Sequence, residues 1–150
     1  MKIYGVDTFT IEDILEISKN PKKAKLDKEA KQQILKSQKN VQKIVASDRT
    51  VYGINTGFGP LCDVKISEEE TAQLQHNLII SHAVGVGKPI DKELSILMMI
   101  TKIHALSKGF SGVSLEVIER LILMLEKDII PVVPEQGSVG ASGDLAPLAH

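Results

Sequence analysis

Gly137, Gly140 and Gly143 surround Ala141-Ser142, between a proline-marked strap and the start of a helix. Glycine opens backbone shapes closed to other residues and lets backbone atoms approach closely. In a sharply bent chain the Gly143 amide nitrogen reaches the Ala141 carbonyl carbon, and attack with loss of water closes a five-membered ring. Elimination of the Ser142 hydroxyl then leaves an exocyclic methylene, a soft electrophile made from three ordinary residues. Each residue type has its part. Gly143 supplies an unhindered nitrogen, Ser142 a β-leaving group, and Ala141 keeps the turn small. A helix N-terminus after the tripeptide favours negative charge developing on the ring when it is attacked. Composition alone does not single out this tripeptide.

Other chemistry is less well supplied. His76 and His82 are six apart, so they lie on different faces of a helix and cannot chelate a metal as an i, i+4 pair would; no metal site is expected. His104 reads as a hydrogen-bonded core histidine, and Cys62 as a plain thiol with no basic cluster nearby in sequence. Gly85-Val86-Gly87-Lys88 superficially resembles a phosphate loop. Pro89, however, stands where Ser or Thr would bind magnesium, and His82 where the first glycine belongs. A nucleotide site is rejected.

The elements that must position these residues are mostly helical. Residues 1–9 alternate weakly and fit a short strand. Thr10 and Asp13 mark a helix start, with Ile14 and Ile17 inward and Asn20-Pro21 as the break. Asp27 caps a helix with apolar positions Ile34, Val41, Ile44 and Val45, and Leu35 close by. Nine lysines fall between Lys19 and Lys43, against Asp27 and Glu29. They read as a solvated face, with a basic docking helix as the alternative. Ser67 and Glu70 form a capping box that opens a helix whose stripe is Leu74, Leu78 and His82, ended by Gly85 and Gly87. Asp91 caps a helix apolar on nearly all sides, expected at the centre of the core and closed by Lys108-Gly109. Ser114 starts another, with Ile118, Leu121, Ile122 and Leu125 on one face. Pro131 and Pro134 force an extended strap. Asp144–His150 reads as the first turns of a helix with no C-cap, where natural chain ends seldom fall.

Composition narrows the class. Eighteen basic against nineteen acidic residues and a pI near 6.4 give no reason to expect nucleic acid or an anionic membrane as partner. One cysteine excludes an internal disulfide framework and fits a reducing compartment. The N-terminal stretch has no apolar core of signal-peptide length. The longest apolar run, around Leu94–Ile100, falls far short of the roughly 20 residues that span a bilayer. The expectation is a soluble, cytoplasmic protein. Nothing divides the chain by a linker.

GSVGASGDLAPLAH (Gly137–His150) closely resembles the signature of the aromatic amino acid ammonia-lyase family, whose members convert Ala-Ser-Gly into a methylidene-imidazolone (MIO) group. YGINTGFGPL (Tyr52–Leu61) and LQHNLIISHAVGVG (Leu74–Gly87) match the same family in order and spacing. HALSKGFSGVS (His104–Ser114) is a looser fit, since the family usually has arginine and asparagine where Lys102 and His104 stand. The resemblance runs from about Asp48 to the end of the chain. It implies the mainly α-helical, N-terminal MIO-bearing domain of the ammonia-lyase (L-aspartase-like) fold.

The resemblance also implies a site. Ala141, Ser142 and Gly143 would form the 4-methylidene-imidazol-5-one autocatalytically, with no external cofactor. Tyr52 would be the base that removes the substrate β-proton; on its residues alone it is a packed ring in a glycine loop. A tyrosine with its ordinary pKa near 10 is a poor base at neutral pH, so a site must lower it. Gly53, Gly57 and Gly59 would let the backbone approach the ring and substrate, and Gly59 is placed with His82 on the substrate side. Asp144 either assists ring formation or caps the helix. On the apolar stripe alone His82 reads as a core histidine. The Ser81-His82 pair, however, resembles the histidine-specific branch of the family, which implies L-histidine as substrate, trans-urocanate and ammonia as products, and a homotetramer with shared active sites. An imidazole offers a donor and an acceptor that a dry site must satisfy, and His82 can supply either partner.

Family members run several hundred residues longer, so residues 1–150 are expected to be an incomplete domain, inactive alone, with the central helical bundle lying beyond residue 150. Two alternatives stand beside this reading. One is a tyrosine or phenylalanine lyase or aminomutase of the same family. The other is a non-catalytic helical interaction module that docks through the lysine-rich helix.

Overall fold

Thr10 opens the first helix, α1 (Ile11–Lys19), by a reciprocal pair of hydrogen bonds. Its hydroxyl accepts from the Asp13 N–H at 3.2 Å, and the Asp13 carboxylate accepts from the Thr10 N–H at 2.9 Å. The same carboxylate pairs with Lys2 at 2.8 Å. That contact, the Lys2 hydrogen bond above all, holds the Asp13 carboxyl below its usual range. Asn20 ends α1, and its side chain caps the 3-10 turn Pro21–Lys23. The computed structural model describes residues 1–57, 66–139 and 145–150.

A short strand β1 (Lys2–Ile3) pairs in parallel with β2 (Ala24–Lys25), Lys2 opposite Ala24. Asp27 then caps α2 (Lys28–Val45), accepting from the Ala30 N–H at 2.8 Å. Helices α3 (Glu68–His82), α4 (Lys92–Ser107), α5 (Leu115–Glu126) and α6 (Leu145–Ala149) follow. Between them, β3 (Val86–Pro89) and β4 (Pro134–Gln136) pair antiparallel. Ser67 and Ser114 act as N-caps of α3 and α5, as their positions in the sequence require.

The described residues divide into two compact units, each built from two separate stretches: 1–40 with 91–131, and 41–90 with 132–150. No linker marks them, because neither unit is continuous in sequence. In the first unit the core is Tyr4, Ile17, Ala24, Ile34, Met99, Ile100, Ile103, Ile118 and Leu125. Ile100, Ile103 and Ile118 are completely buried. Truncating any of them to alanine costs about 2–5 kcal/mol in a core of this kind.

Several expectations are corrected. Asp91 sits at the N-cap of α4, but its side chain makes no capping hydrogen bond; its carbonyl instead accepts from Leu94 and Ser95. That helix is only partly central, since Leu94 and Met98 are exposed while Ser95 and Ser107 are buried. The buried Ser107 hydroxyl is satisfied by donating to the Ile103 carbonyl at 2.7 Å. On α2, Ala30 is buried with Ile34, whereas Leu35 and Val45 are exposed. The strap at Pro134 is extended as expected, but its pairing over 134–136 with 86–89 is not announced by the sequence. The lysines lie largely on the surface, with Lys23 on Glu16 and Lys31 on Glu119 as exposed ion pairs of the kind that contribute under about 1 kcal/mol.

His104 has the structural role expected of it. Its Nδ1 accepts from the Gly5 N–H at 3.2 Å, and its ring stacks on Phe9 with centroids 4.1 Å apart. Burial, then the Lys108 charge, lower its pKa, with Asp7 partly opposing. The unfolded chain therefore binds a proton more readily. The stabilisation is full above the ordinary histidine value of about 6.5 and is lost as the pH falls below it. The thermal midpoint is expected to drop on acidification through this range, and His104→Asn, which has nothing to titrate, should drop less. Tyr4 gives a second test. Burial, then Glu126, raise its pKa to about 12. Its hydroxyl is the buried side-chain polar atom without a hydrogen-bond partner among the described residues. Tyr4→Phe should therefore leave thermal stability unchanged or raise it by about 1 kcal/mol.

Candidate active site

Tyr52 stands on the turn that follows α2 and is 62% exposed. The turn is organised by Asn55, which is only 5% exposed. Its Oδ1 accepts from the Val51 N–H and its Nδ2 donates to the Arg49 carbonyl, both at 2.8 Å. Its backbone N–H bonds the Val51 carbonyl at 3.2 Å, and its own carbonyl accepts from Ile66 at 3.0 Å. Asn55 therefore ties the chain on the N-terminal side of Tyr52 to the chain beyond it. The sequence reading passed over this residue. The signal was an asparagine within a glycine-rich turn, where its side chain commonly bonds nearby backbone. Gly53 has φ +77°, but a Cβ there would meet nothing within 4 Å. The positive φ is what the turn's backbone requires of this glycine.

His82 is half-buried at the last position of α3. Its Nδ1 lies 2.8 Å from the Leu78 carbonyl oxygen and 3.1 Å from the Ser81 hydroxyl, which donates to the same carbonyl at 3.0 Å. A carbonyl oxygen only accepts, so Nδ1 carries the ring proton. In the neutral ring Nε2 is then left with a lone pair. The helix backbone thus assigns His82 one role, that of an acceptor at Nε2.

Just beyond His82 three segments meet. Gly85 donates its N–H to His150 Nε2 at 2.9 Å. A Cβ added to Gly137 would lie 3.0 Å from the Gly85 Cα and 3.4 Å from the Ala146 Cβ. Val86 pairs with Gln136 and Pro89 with Pro134, and the Ile90 N–H bonds the Val133 carbonyl at 2.8 Å. Gly59, Cys62, Ala141, Ser142, Gly143 and Asp144 lie outside the described residues. The second unit holds Tyr52 and His82, and also Gly137 and Ala146, the described residues that bracket the tripeptide. A cavity of about 320 Å³ in the first unit, lined by Lys36, Asn40, Lys108 and Phe110 among others, contains none of these residues. Among the described residues no group of three or more His, Cys, Asp or Glu is placed to hold a metal.

A sequence model of the aromatic amino acid lyases matches residues 9–150. The chain belongs to the aromatic amino acid lyase family. A histidine ammonia-lyase of Caldanaerobacter subterraneus subsp. tengcongensis is 48% identical over 144 residues, covering 96% of this chain and 28% of that protein. The chain thus spans a little over a quarter of the length of the relatives it matches. Among solved structures, histidine ammonia-lyase from Trypanosoma cruzi superposes with a TM-score of 0.82 at 33% identity, over 99% of this chain and 28% of that one. Tyrosine aminomutase from Streptomyces globisporus gives 0.87 at 28% identity, over the same shares. The mainly helical lyase architecture expected from the sequence is the one found.

The Asn55 clamp makes a direct prediction. Asn55→Ala removes two buried hydrogen bonds and leaves the Val51 N–H and Arg49 carbonyl without these partners. It should cost about 1–3 kcal/mol in thermal or urea denaturation. Amide exchange should speed up most at Val51 and Asn55.

Proposed function

We propose that this chain is the electrophile-bearing part of a histidine ammonia-lyase, converting L-histidine to trans-urocanate and ammonia. The observation that carries the reading is the fixed orientation of His82. With Nδ1 bound to the Leu78 carbonyl, Nε2 calls for a donor, and the imidazole N–H of histidine is one. Phenylalanine offers none, and would leave a polar atom unpaired in a dry site. The 48% identity to a histidine ammonia-lyase supports the same choice.

The reaction removes the α-amino group and one β-proton. Tyr52, on its clamped turn, takes the proton, and His82 holds the ring. The MIO group formed from Ala141, Ser142 and Gly143 supplies an electrophilic methylene beside the substrate. The described residues fit such a group, because Gly137 and Ala146, on either side of the tripeptide, pack together beside Gly85. The family resemblance assigns Gly59 to substrate binding and Asp144 to support of ring formation. No external cofactor is required. The second unit exposes Ile79, Ile80, Val84, Val86 and Val132, apolar side chains suited to burial against the remainder of the protein in a homotetramer. No described helix is long and apolar enough to cross a membrane. The protein is proposed to work in the cytoplasm, with neither nucleic acid nor membrane as partner.

The structural likeness to tyrosine aminomutase favours one second reading, an aminomutase or lyase acting on tyrosine or phenylalanine. Turnover of the three amino acids by the full-length protein decides between them. Urocanate from histidine is expected, and cinnamate-type or β-amino acid products would overturn the proposal. His82→Leu should raise KM for histidine about tenfold, the loss of one good hydrogen bond. Tyr52→Phe should instead lower kcat by about 100-fold or more. The 150-residue chain by itself should release no urocanate.

A further inference from the structure

We infer that His150 and Gly85 form a clasp that holds the two ends of segment 138–145 together, with His150 as a positioning residue for ring formation at Ala141-Ser142-Gly143. The inference rests on the proposed cyclisation but not on the choice of amino acid substrate. In the ring-forming step the Gly143 nitrogen bonds to the Ala141 carbonyl carbon. That oxygen leaves as water, taking one hydrogen each from the Gly143 and Ser142 nitrogens. The Ser142 hydroxyl then leaves with the Ser142 α-hydrogen as a second water. No oxidant is needed. What is needed is a backbone bent well away from its relaxed shape, and such strain persists only when the surroundings over-determine it.

The described residues on both sides of the tripeptide are held to one short stretch of chain. Before the tripeptide, β4 is paired to β3, and Gly137 lies against Gly85. After it, Ala146 lies beside Gly137, with its Cβ 3.4 Å from where a Cβ on that glycine would stand, and His150, at the far end of α6, accepts the Gly85 N–H at 2.9 Å. Accepting at Nε2 places the ring proton of a neutral His150 on Nδ1. Position 85 has room for no side chain. A Cβ there would come within 2.8 Å of His150 Nε2 and 2.9 Å of the Pro134 Cγ. The glycine and the histidine are thus matched to each other, and the contact lies three residues beyond His82.

The test follows ring formation directly, by intact mass, in the full-length protein after synthesis in a cell-free system. The wild type should lose two water masses. His150→Leu should form the ring at least tenfold more slowly. His150→Gln, whose amide oxygen takes the place of Nε2, should form it within about threefold of the wild-type rate. Gly85→Ala, which pushes the imidazole away while leaving it in the chain, should be slowed like His150→Leu. Thermal midpoints of the same proteins separate positioning from general support, because His150→Gln should recover ring formation even where it does not recover stability. Ring formation at the wild-type rate in His150→Leu or Gly85→Ala would overturn the clasp. So would equal slowing in the Leu and Gln variants. If the wild type itself loses no water, the cyclisation fails and the clasp fails with it. Cyclisation without urocanate would instead leave the clasp standing and remove the histidine lyase reading.

Discussion

Two glycines packed backbone to backbone, Gly85 against Gly137, are the contact on which the second unit depends. Any side chain at position 85 would strike the His150 ring and Pro134, so the strand pair β3–β4, the turn after α3 and the helix α6 all converge because that space is left empty. Close backbone approach is a use of glycine distinct from its tolerance of unusual dihedrals. A cluster of glycines in a sequence does not say which use is intended.

In the first unit the organising force is different. Isoleucines from α1, α2, α4 and α5 meet at full burial, and short polar contacts tidy the edges: the Thr10–Asp13 box, the Ser107 hydroxyl on its own helix, and His104 on the Gly5 amide. None of the sequence-derived site residues belongs to this unit. The cavity beside Lys36 and Lys108 also lies there, and none of the residues that carry the proposed chemistry lines it. A well-packed core and a site held by backbone contacts are separate solutions within one short chain.

The helices were largely legible because capping and periodicity are local. Thr10, Ser67 and Ser114 each mark a start that the structure keeps, and Asn20-Pro21 a stop. Asp91 misled because the residue type fits a cap while its side chain makes no capping bond there, leaving the first turn to its carbonyl. The strand within residues 1–9 is where the sequence puts it, whereas the β3–β4 pairing is not legible because β3 is exposed throughout, so no alternation of burial is written into Val86–Pro89. Asn55 was missed because an asparagine in a glycine-rich turn marks a turn residue without saying which backbone groups its side chain bonds.

By itself the sequence determined the helical class, the caps, the family and the positions of Tyr52, His82 and the tripeptide, since motifs and capping boxes are read over a few consecutive residues. Only the tertiary structure decided that Nδ1 of His82 is the protonated nitrogen, that Asn55 clamps the Tyr52 turn, and that His150 reaches Gly85 across 65 positions of sequence. The physical reason is shared by all three. A hydrogen bond to the backbone depends on where the chain has folded to, and one amide looks like any other in a string of residues.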